Sequence, residues 1–254
     1  MHRFEGRRVL ITGAGSGIGR ATVHRVLAEG GTVVAADVVE AGLAGTRAQA
    51  EADGTADRLL TRLVDVSDEA SVRAGVGGAI AELGGLDAVV NAAGILRSAH
   101  TERTTLEFWN RMLAVNLTGT FLVTREALPA LLATGRGVVV NFSSTSASFA
   151  HPYMAAYAAT KGGVQSFTHA VAAEYAKQGL RAVCVAPGSI ASGMTADPGL
   201  PADADLSWFA KLQPALGQGF AGPETVAGVI AMLASDDGAF VTGTEIRIDG
   251  GTHA

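Results

Sequence analysis

Thr12-Gly13-Ala14-Gly15-Ser16-Gly17-Ile18-Gly19 is the stretch that decides how this 254-residue chain is read. It follows the apolar run Arg8-Val9-Leu10-Ile11 and leads into an amphipathic segment, so its glycines stand at a strand-to-helix junction. Glycines at 13, 17 and 19 let the backbone turn tightly and approach a pyrophosphate, with Ser16 and Ile18 completing the loop. The phosphate charge is then met by backbone N–H groups and the positive end of the helix dipole. A Gly-rich turn alone is commonplace in a chain with 33 glycines; the strand before it and the helix after it point to dinucleotide binding.

Outward from this junction, short runs rich in Val, Ile and Leu alternate with longer amphipathic segments, as parallel strands covered on both faces by helices require. Strands are expected near 8–12, 32–37, 59–65, 87–91, 137–142, 181–186 and 245–248, with helices near 17–29, 40–52, 68–83, 105–133, 153–178 and 223–235. The fold class is therefore α/β: a Rossmann-type, doubly wound, parallel seven-stranded sheet with helices on both faces, one domain over 1–254 with the catalytic residues built in. From Ser189 to Gly222 the rhythm breaks into a Pro- and Gly-rich stretch with scattered Met, Leu, Trp and Phe. The segment 189–222 is expected to be a substrate-binding lid, because so long a stretch without periodicity is more often functional than a mere connector.

Asp37 ends the second run, Thr32-Val33-Val34-Ala35-Ala36-Asp37, eighteen residues after Gly19. A carboxylate there can accept hydrogen bonds from both adenosine ribose hydroxyls and repels a 2′-phosphate, which favours NAD over NADP. The net charge of −5 offers no attraction to nucleic acid or an anionic membrane, and the nineteen basic residues are scattered. Neither is expected as a partner; a small molecule is. Cys184 is the only cysteine, so no intramolecular disulfide is possible, and its neighbours Val183 and Val185 mark an inert core thiol. The six histidines and Cys184 contain no pair at metal-ligand spacing, so no metal is expected. The opening Met1-His2-Arg3-Phe4-Glu5-Gly6 lacks the apolar stretch of a signal peptide and no run reaches membrane-spanning length, so a cytoplasmic location is expected.

Tyr157 and Lys161, four apart in Tyr157-Ala158-Ala159-Thr160-Lys161, fall side by side on one helix face. A free phenol titrates near pH ~10, so a Tyr exchanging protons near neutrality needs an adjacent cation, which Lys161 supplies.

Together these residues resemble the short-chain dehydrogenase/reductase family, and the resemblance runs from Gly6 to Gly251. It rests on the spaced glycines, Asp65-Val66, Asn91-Ala92-Ala93-Gly94, Asn116, Ser144, Tyr157/Lys161, Pro187-Gly188 and Asp249-Gly250-Gly251. By that resemblance Tyr157 is the general acid/base, Ser144 orients the substrate oxygen, Lys161 binds the nicotinamide ribose and lowers the Tyr157 pKa, and Asn116 holds a proton-relay water. Asp65, Val66, Asn91, Ala92, Gly94, Pro187, Gly188, Ile190 and Ser192 join Tyr157 and Lys161 around the cofactor. Ser143 is the alternative to Ser144, and Tyr153 matches no family position.

Three departures matter: Ala92 replaces a frequent Asn, Ser192 replaces Thr in the segment Ile190-Ala191-Ser192-Gly193-Met194, and Ala173 precedes Glu174 where reductases of carrier-bound acyl groups tend to have Arg. The substrate pocket is expected to be bounded by Leu96, by Phe149, His151 and Met154 with Ser144 and Tyr157, and by Met194, Leu200, Leu206, Trp208, Phe209 and Leu212 of the lid, where Lys211 is the only Lys or Arg. Such a wall suits a neutral, largely apolar secondary alcohol or ketone, with His151 near a second polar group. The runner-up is a 3-oxoacyl (acyl-carrier-protein or CoA) reductase, and the reading of another class is a non-catalytic NAD-binding regulatory protein. The long helices near 105–133 and 153–178 leave apolar stripes for a symmetric partner; the resemblance implies a homotetramer.

Overall fold

A computed structural model describes residues 2–217 and 219–254, the side chain of Lys211 excepted. The strands are β1 (Arg8–Thr12), β2 (Thr32–Asp37), β3 (Leu59–Leu63), β4 (Ala88–Asn91), β5 (Val138–Phe142), β6 (Arg181–Pro187) and β7 (Glu245–Ile248). They form one parallel sheet in the order β3-β2-β1-β4-β5-β6-β7. The helices are α1 (Gly17–Ala28), α2 (Glu40–Ala52), α3 (Glu69–Leu83), α4 (Leu106–Leu113), α5 (Gly119–Ala133), α6 (Ala155–Tyr175), α7 (Gly193–Ala196) and α8 (Pro223–Ala234).

Alternation along the strands divides the core in two. Val9 and Ile11 of β1 pack with Val23, Val26 and Leu27 of α1 and with Val226 and Ile230 of α8. Leu10, Val89 and Val139 point to the other face, against Val72 and Val76 of α3 and Val123 and Leu131 of α5. Each such side chain, fully buried, contributes roughly 1.5–3 kcal/mol, and neither face is left to water. The chain runs outward from β1 through β2 to β3, then returns to build the other half from β4, so a crevice opens at the carboxyl ends of β1 and β4.

Three expected elements differ. The third strand stops at Leu63 because the Asp65 carboxylate accepts the Ser67 N–H at 2.8 Å and its hydroxyl at 2.6 Å, turning the chain out of the sheet. The helix expected over 105–133 is α4 and α5 joined by a π turn, Ala114–Thr118. Within that turn the Asn116 side chain brackets Ile95, accepting its N–H at 2.8 Å and donating to its carbonyl at 2.9 Å. The segment expected to be a lid, 189–222, is not irregular throughout: Ile190 bridges to Ala221, Ser192 and Thr195 form a capping box for α7, and a 3-10 helix spans Leu206–Leu212.

The segment 189–222 is moored at several points. Ser98 N–H donates to the Pro198 carbonyl at 2.9 Å and Leu216 N–H to the Gly250 carbonyl at 2.8 Å, while inside the segment the Ser189 hydroxyl donates to the Leu212 carbonyl at 3.2 Å. The Arg97 guanidinium reaches the Asp197 carbonyl at 3.2 Å, and the Asp205 N–H donates to the Tyr153 phenol at 2.8 Å. Asp203 is held through its carboxylate by His100 at 2.9 Å and Arg103 at 3.0 Å. Among the described residues no helix is long and apolar enough to cross a membrane.

Candidate active site

A cavity of about 690 Å³ runs along the carboxyl edge of the sheet, from Asp37 past the glycine loop and Ala92–Gly94 to Ser144, Tyr157 and the lid. Its size is that of a pocket for a small organic ligand or cofactor. Two glycines show why the loop needs glycine. Gly13 has φ +66°, and a Cβ there would lie 2.7 Å from the Ala92 and Ala93 backbone; a Cβ on Gly19 would lie 2.1 Å from the Gly13 carbonyl oxygen. The loop is thus folded on itself and pressed against the end of β4, with Ser16, Gly17 and Ile18 also on the cavity wall. This is a cradle that a dinucleotide phosphate fits.

At the end of β2, Asp37 accepts the Gly15 N–H at 2.8 Å and the Val39 N–H at 2.9 Å, and it lines the cavity beside Val38 and Val39. The Ser67 hydroxyl and N–H outweigh burial at Asp65 and hold its carboxyl below the usual range. Asp65, Val66, Ala92, Gly94, Pro187, Gly188, Ile190 and Ser192 all lie on the wall. Asn91 does not. Its side chain is buried below the floor, donating to Asn141 Oδ1 at 2.8 Å and Thr124 Oγ1 at 3.0 Å; Asn141 in turn donates to Thr168 Oγ1 on α6 at 2.9 Å. The expectation that it touches the cofactor is corrected: it ties β4 to β5 beneath the site.

Asn116 also stands behind the wall. Its carboxamide is occupied by Ile95 and by Thr160 Oγ1, 3.2 Å away. It still converges on the site, since a Cβ built on Gly94 would lie 3.2 Å from Asn116 Oδ1 and 3.7 Å from Lys161 Nζ. The side chain thus supports the floor rather than facing the cavity.

Ser144, Tyr157 and Lys161 meet at the opposite end of the cavity. Ser144 is buried at the end of β5; its Oγ accepts the Ser146 N–H at 3.2 Å and its hydroxyl acts to lower the pKa of the Tyr157 phenol. Ser143 also lines the cavity, but its hydroxyl is directed to the Ser144 and Lys161 carbonyls, each 3.4 Å away. Lys161 is 5% exposed and donates from Nζ to the Phe142 carbonyl at 2.9 Å. Its Nζ lies 5.5 Å from the Tyr157 ring centroid. Burial pushes Lys161 down to about 8. Burial likewise raises Tyr157 to about 12, against the lowering by the Ser144 hydroxyl. The protein's own groups therefore hold Tyr157 as a neutral phenol, ready to donate a proton, and oppose the lowering that the family resemblance implies.

The substrate end is walled by Leu96, His151, Met154, Met194, Leu200, Phe209 and Leu212. Phe149 and Trp208 are off the wall, contrary to expectation. Phe149 is stacked on His253 at 4.0 Å, with the Arg247 guanidinium 5.2 Å from its centroid. Trp208 is 53% exposed: in a helix of three residues per turn, the positions that bring Phe209 and Leu212 to the cavity turn their neighbour outward. Leu206 is at the outer end of that helix and also off the wall. Tyr153 is the one described non-glycine residue with a left-handed φ, +65°; its ring meets His100 edge-on at 5.0 Å while its phenol holds the lid.

The sequence reading missed Thr145, Gln213, Thr252 and His253, which all line the cavity. Only His253 carried a usable signal, an imidazole four residues after Asp249; the two are joined Nδ1 to Oδ2 at 3.1 Å.

Known proteins resemble this chain over nearly its whole length. A family model described as enoyl-(acyl carrier protein) reductase matches residues 13–253. A 3-oxoacyl-(acyl-carrier-protein) reductase of Thermotoga maritima is 38% identical over 249 residues, 98% of each chain. A 2,5-dichloro-2,5-cyclohexadiene-1,4-diol dehydrogenase of Sphingobium indicum is 36% identical over 250 residues, 98% of this chain and 97% of its relative. The crystal structure of levodione reductase superposes with a TM-score of 0.89 at 34% identity, covering 98% of both chains. The chain belongs to the short-chain dehydrogenase/reductase family. It is an oxidoreductase acting on alcohol or ketone carbons with a nicotinamide cofactor.

Proposed function

We propose that the protein transfers hydride between NAD(H) and a neutral, largely apolar secondary alcohol or ketone, with Tyr157 as general acid/base. The observation that carries this reading is one cavity with Asp37 at one end and Ser144, Tyr157 and Lys161 beneath an apolar wall at the other. The glycine loop would hold the phosphates and Asp37 the adenosine ribose; Lys161 would hold the second ribose. Once bound, the nicotinamide supplies the hydride acceptor or donor. The Tyr157 hydroxyl gives its proton to the carbonyl oxygen in reduction and takes it back in oxidation. Ser144 hydrogen-bonds that oxygen as its charge changes, while the Lys161 ammonium favours the phenolate that reduction leaves. The lid and the Leu96 and Met154 side chains keep water from the reacting carbon.

The preference for NAD rests on Asp37 and on the residues that follow it on the wall, Val38 and Val39, which offer a 2′-phosphate no compensating charge. Nearby, the Arg20 guanidinium is directed to the Gly15 and Gly42 carbonyls. Calorimetric titration should show NAD(H) binding at least tenfold, or ~1.4 kcal/mol, tighter than NADP(H), with the gap narrowed in Asp37→Ala. Equal affinities would refute the preference.

The apolar wall and the relatives named for a cyclohexadienediol and for levodione support a carbocyclic substrate. A second reading, reduction of carrier-bound 3-oxoacyl groups, is favoured by the Thermotoga relative and opposed by Ala173 before Glu174. Comparing kcat/KM for cyclic or aryl secondary alcohols with that for polyols, sugar phosphates and carrier-bound acyl chains decides; a preference for any of the latter overturns the substrate proposal. Detectable NADH formation with any of them excludes a purely regulatory protein.

The lid role of 189–222 and a cytoplasmic homotetramer complete the proposal. Phe121 on α5, 40% exposed and edge-on to Phe167 of α6 at 6.2 Å, lies on a face that a second copy would cover. Light scattering reporting a 25.7 kDa monomer at micromolar concentration would count against the tetramer.

A further inference from the structure

Besides Ser144, Tyr157 and Lys161, the cavity wall carries a second polar cluster of His151, Thr145 and His253. The two imidazoles come from separate parts of the chain, the loop before α6 and the segment after β7, and their centroids are 5.7 Å apart. His151 Nε2 lies 3.3 Å from Thr145 Oγ1. Burial, reinforced by His253, pushes His151 down to about 4, so its ring is neutral at pH 7.

His253 is clamped. Its Nδ1 lies 3.1 Å from Asp249 Oδ2, its backbone N–H donates to the same oxygen at 3.3 Å, and its face stacks on Phe149 at 4.0 Å. Burial works to raise the Asp249 carboxyl, but the His253, Gly251 and Arg247 contacts hold it below the usual range, so it is ionised and can only accept. Nδ1 therefore directs a proton at Asp249, and Nε2 is the ring nitrogen left over. That nitrogen is buried and has no hydrogen-bond partner among the described residues, although the side chain is only 11% exposed and held in place. A buried polar nitrogen left unpaired is unfavourable, and a ligand hydroxyl, which can both donate and accept, would satisfy it.

We propose that His253, with His151 beside it, recognises a second hydroxyl group on the substrate, so that the substrate is a diol on an apolar frame and its ketone counterpart a hydroxyketone. This rests on the reading of the site as an NAD-linked alcohol/ketone oxidoreductase. The second hydroxyl is bound and unchanged; no bond to it forms or breaks. A carboxylate in its place would be brought close to the ionised Asp249 carboxylate behind His253 and beside a neutral His151. Further hydroxyls would be buried against Leu96, Met154 and Met194 without partners, which separates such a diol from an open polyol.

The test compares cyclohexanol, the cyclohexane-1,2-, 1,3- and 1,4-diols and a cyclohexanol bearing a carboxylate. Two readouts are used: kcat/KM with NAD, and dissociation constants from calorimetry on the enzyme–NADH complex, in which an alcohol binds without reacting. At least one diol should exceed cyclohexanol about tenfold in both, and the acid should not. His253→Phe keeps a ring on Phe149 and deletes the hydrogen-bonding nitrogen, so the diol-to-cyclohexanol ratio should fall below about two. Asp249→Asn frees the tautomer and should lower the ratio too, which keeps the test decisive if the Phe variant fails to fold. No diol above threefold, a preferred acid, or a ratio surviving in both variants overturns the proposal. Diol-selective binding without turnover of any alcohol refutes only the proposed reaction, whereas turnover without diol selectivity refutes only the second-hydroxyl site.

Discussion

Replacing Lys161 by Met should make the protein more stable at neutral pH while removing its activity. The ammonium is buried, and its pKa falls from 10.5 to about 8, which corresponds to a penalty of about 3 kcal/mol for holding the charge in the folded state at pH 7. Met fills a similar volume without that penalty, but it leaves the Phe142 carbonyl without the donor now 2.9 Å away, a loss of about 1–2 kcal/mol. The net expectation is a gain of about 1–2 kcal/mol. The sign of the pH dependence follows from the lowered pKa: between 8 and 10.5 the unfolded chain keeps the proton that the folded chain has released, so the wild type gains stability as pH rises. The advantage of Lys161→Met should therefore be full below pH 8 and gone by about pH 10. Urea unfolding at pH 7 and pH 10 measures both differences, alongside a kcat/KM expected to drop at least 100-fold because the phenol loses its cation. A variant less stable than wild type at pH 7, or a difference that does not change with pH, would show that the buried ammonium is not under the strain inferred here.

Other outcomes follow from the same site. Tyr157→Phe should abolish turnover and leave NAD affinity within a few fold, since it removes a proton donor and little contact area; a substantial remaining kcat shows that another group moves the proton. For ketone reduction, kcat/KM should be level below pH 7 and decline above about 8 as Lys161 loses its ammonium, with Tyr157 still protonated because it titrates near 12. A rate rising with pH across that interval would contradict the assignment. Gly19→Ala places a Cβ 2.1 Å from the Gly13 carbonyl and should weaken cofactor binding more than tenfold by titration. By contrast, Gly77→Ala on α3, with nothing within 4 Å of the added methyl, should stabilise the fold by about 0.5–1 kcal/mol.

Much of the architecture was legible because its signals are local. The seven apolar runs became the seven strands, and the glycine loop, Asp37 and the Ser144–Tyr157–Lys161 cluster fell along one cavity. What escaped depends on contacts distant in sequence. Nothing near Asn91 announces Thr124 and Asn141, so motif order alone put its side chain in the cofactor site rather than under the floor. The break after α4 needed the approach of Ile95 to Asn116. In the lid, hydrophobicity identified Trp208 and Phe209 equally, and only the three-residue turn separates the inward from the outward one. His253 reaches the cavity through Phe149 and Asp249, partners that no periodicity reveals.

The way the segment 189–222 is moored has an evolutionary consequence. Most of the atoms by which it is held belong to its backbone: the carbonyls of Asp197 and Pro198 and the N–H groups of Asp205 and Leu216, with Asp203 the exception. Backbone groups survive substitution. Met194, Leu200, Phe209 and Leu212 can therefore be exchanged in a descendant without cutting a mooring, and the inner wall can be rewritten one residue at a time while the segment stays in place. The proton-transfer residues lie on α6 and at the end of β5, outside the segment that varies. A duplicated copy of this gene could thus move to a new alcohol through single steps, each passing through a folded and chemically competent protein.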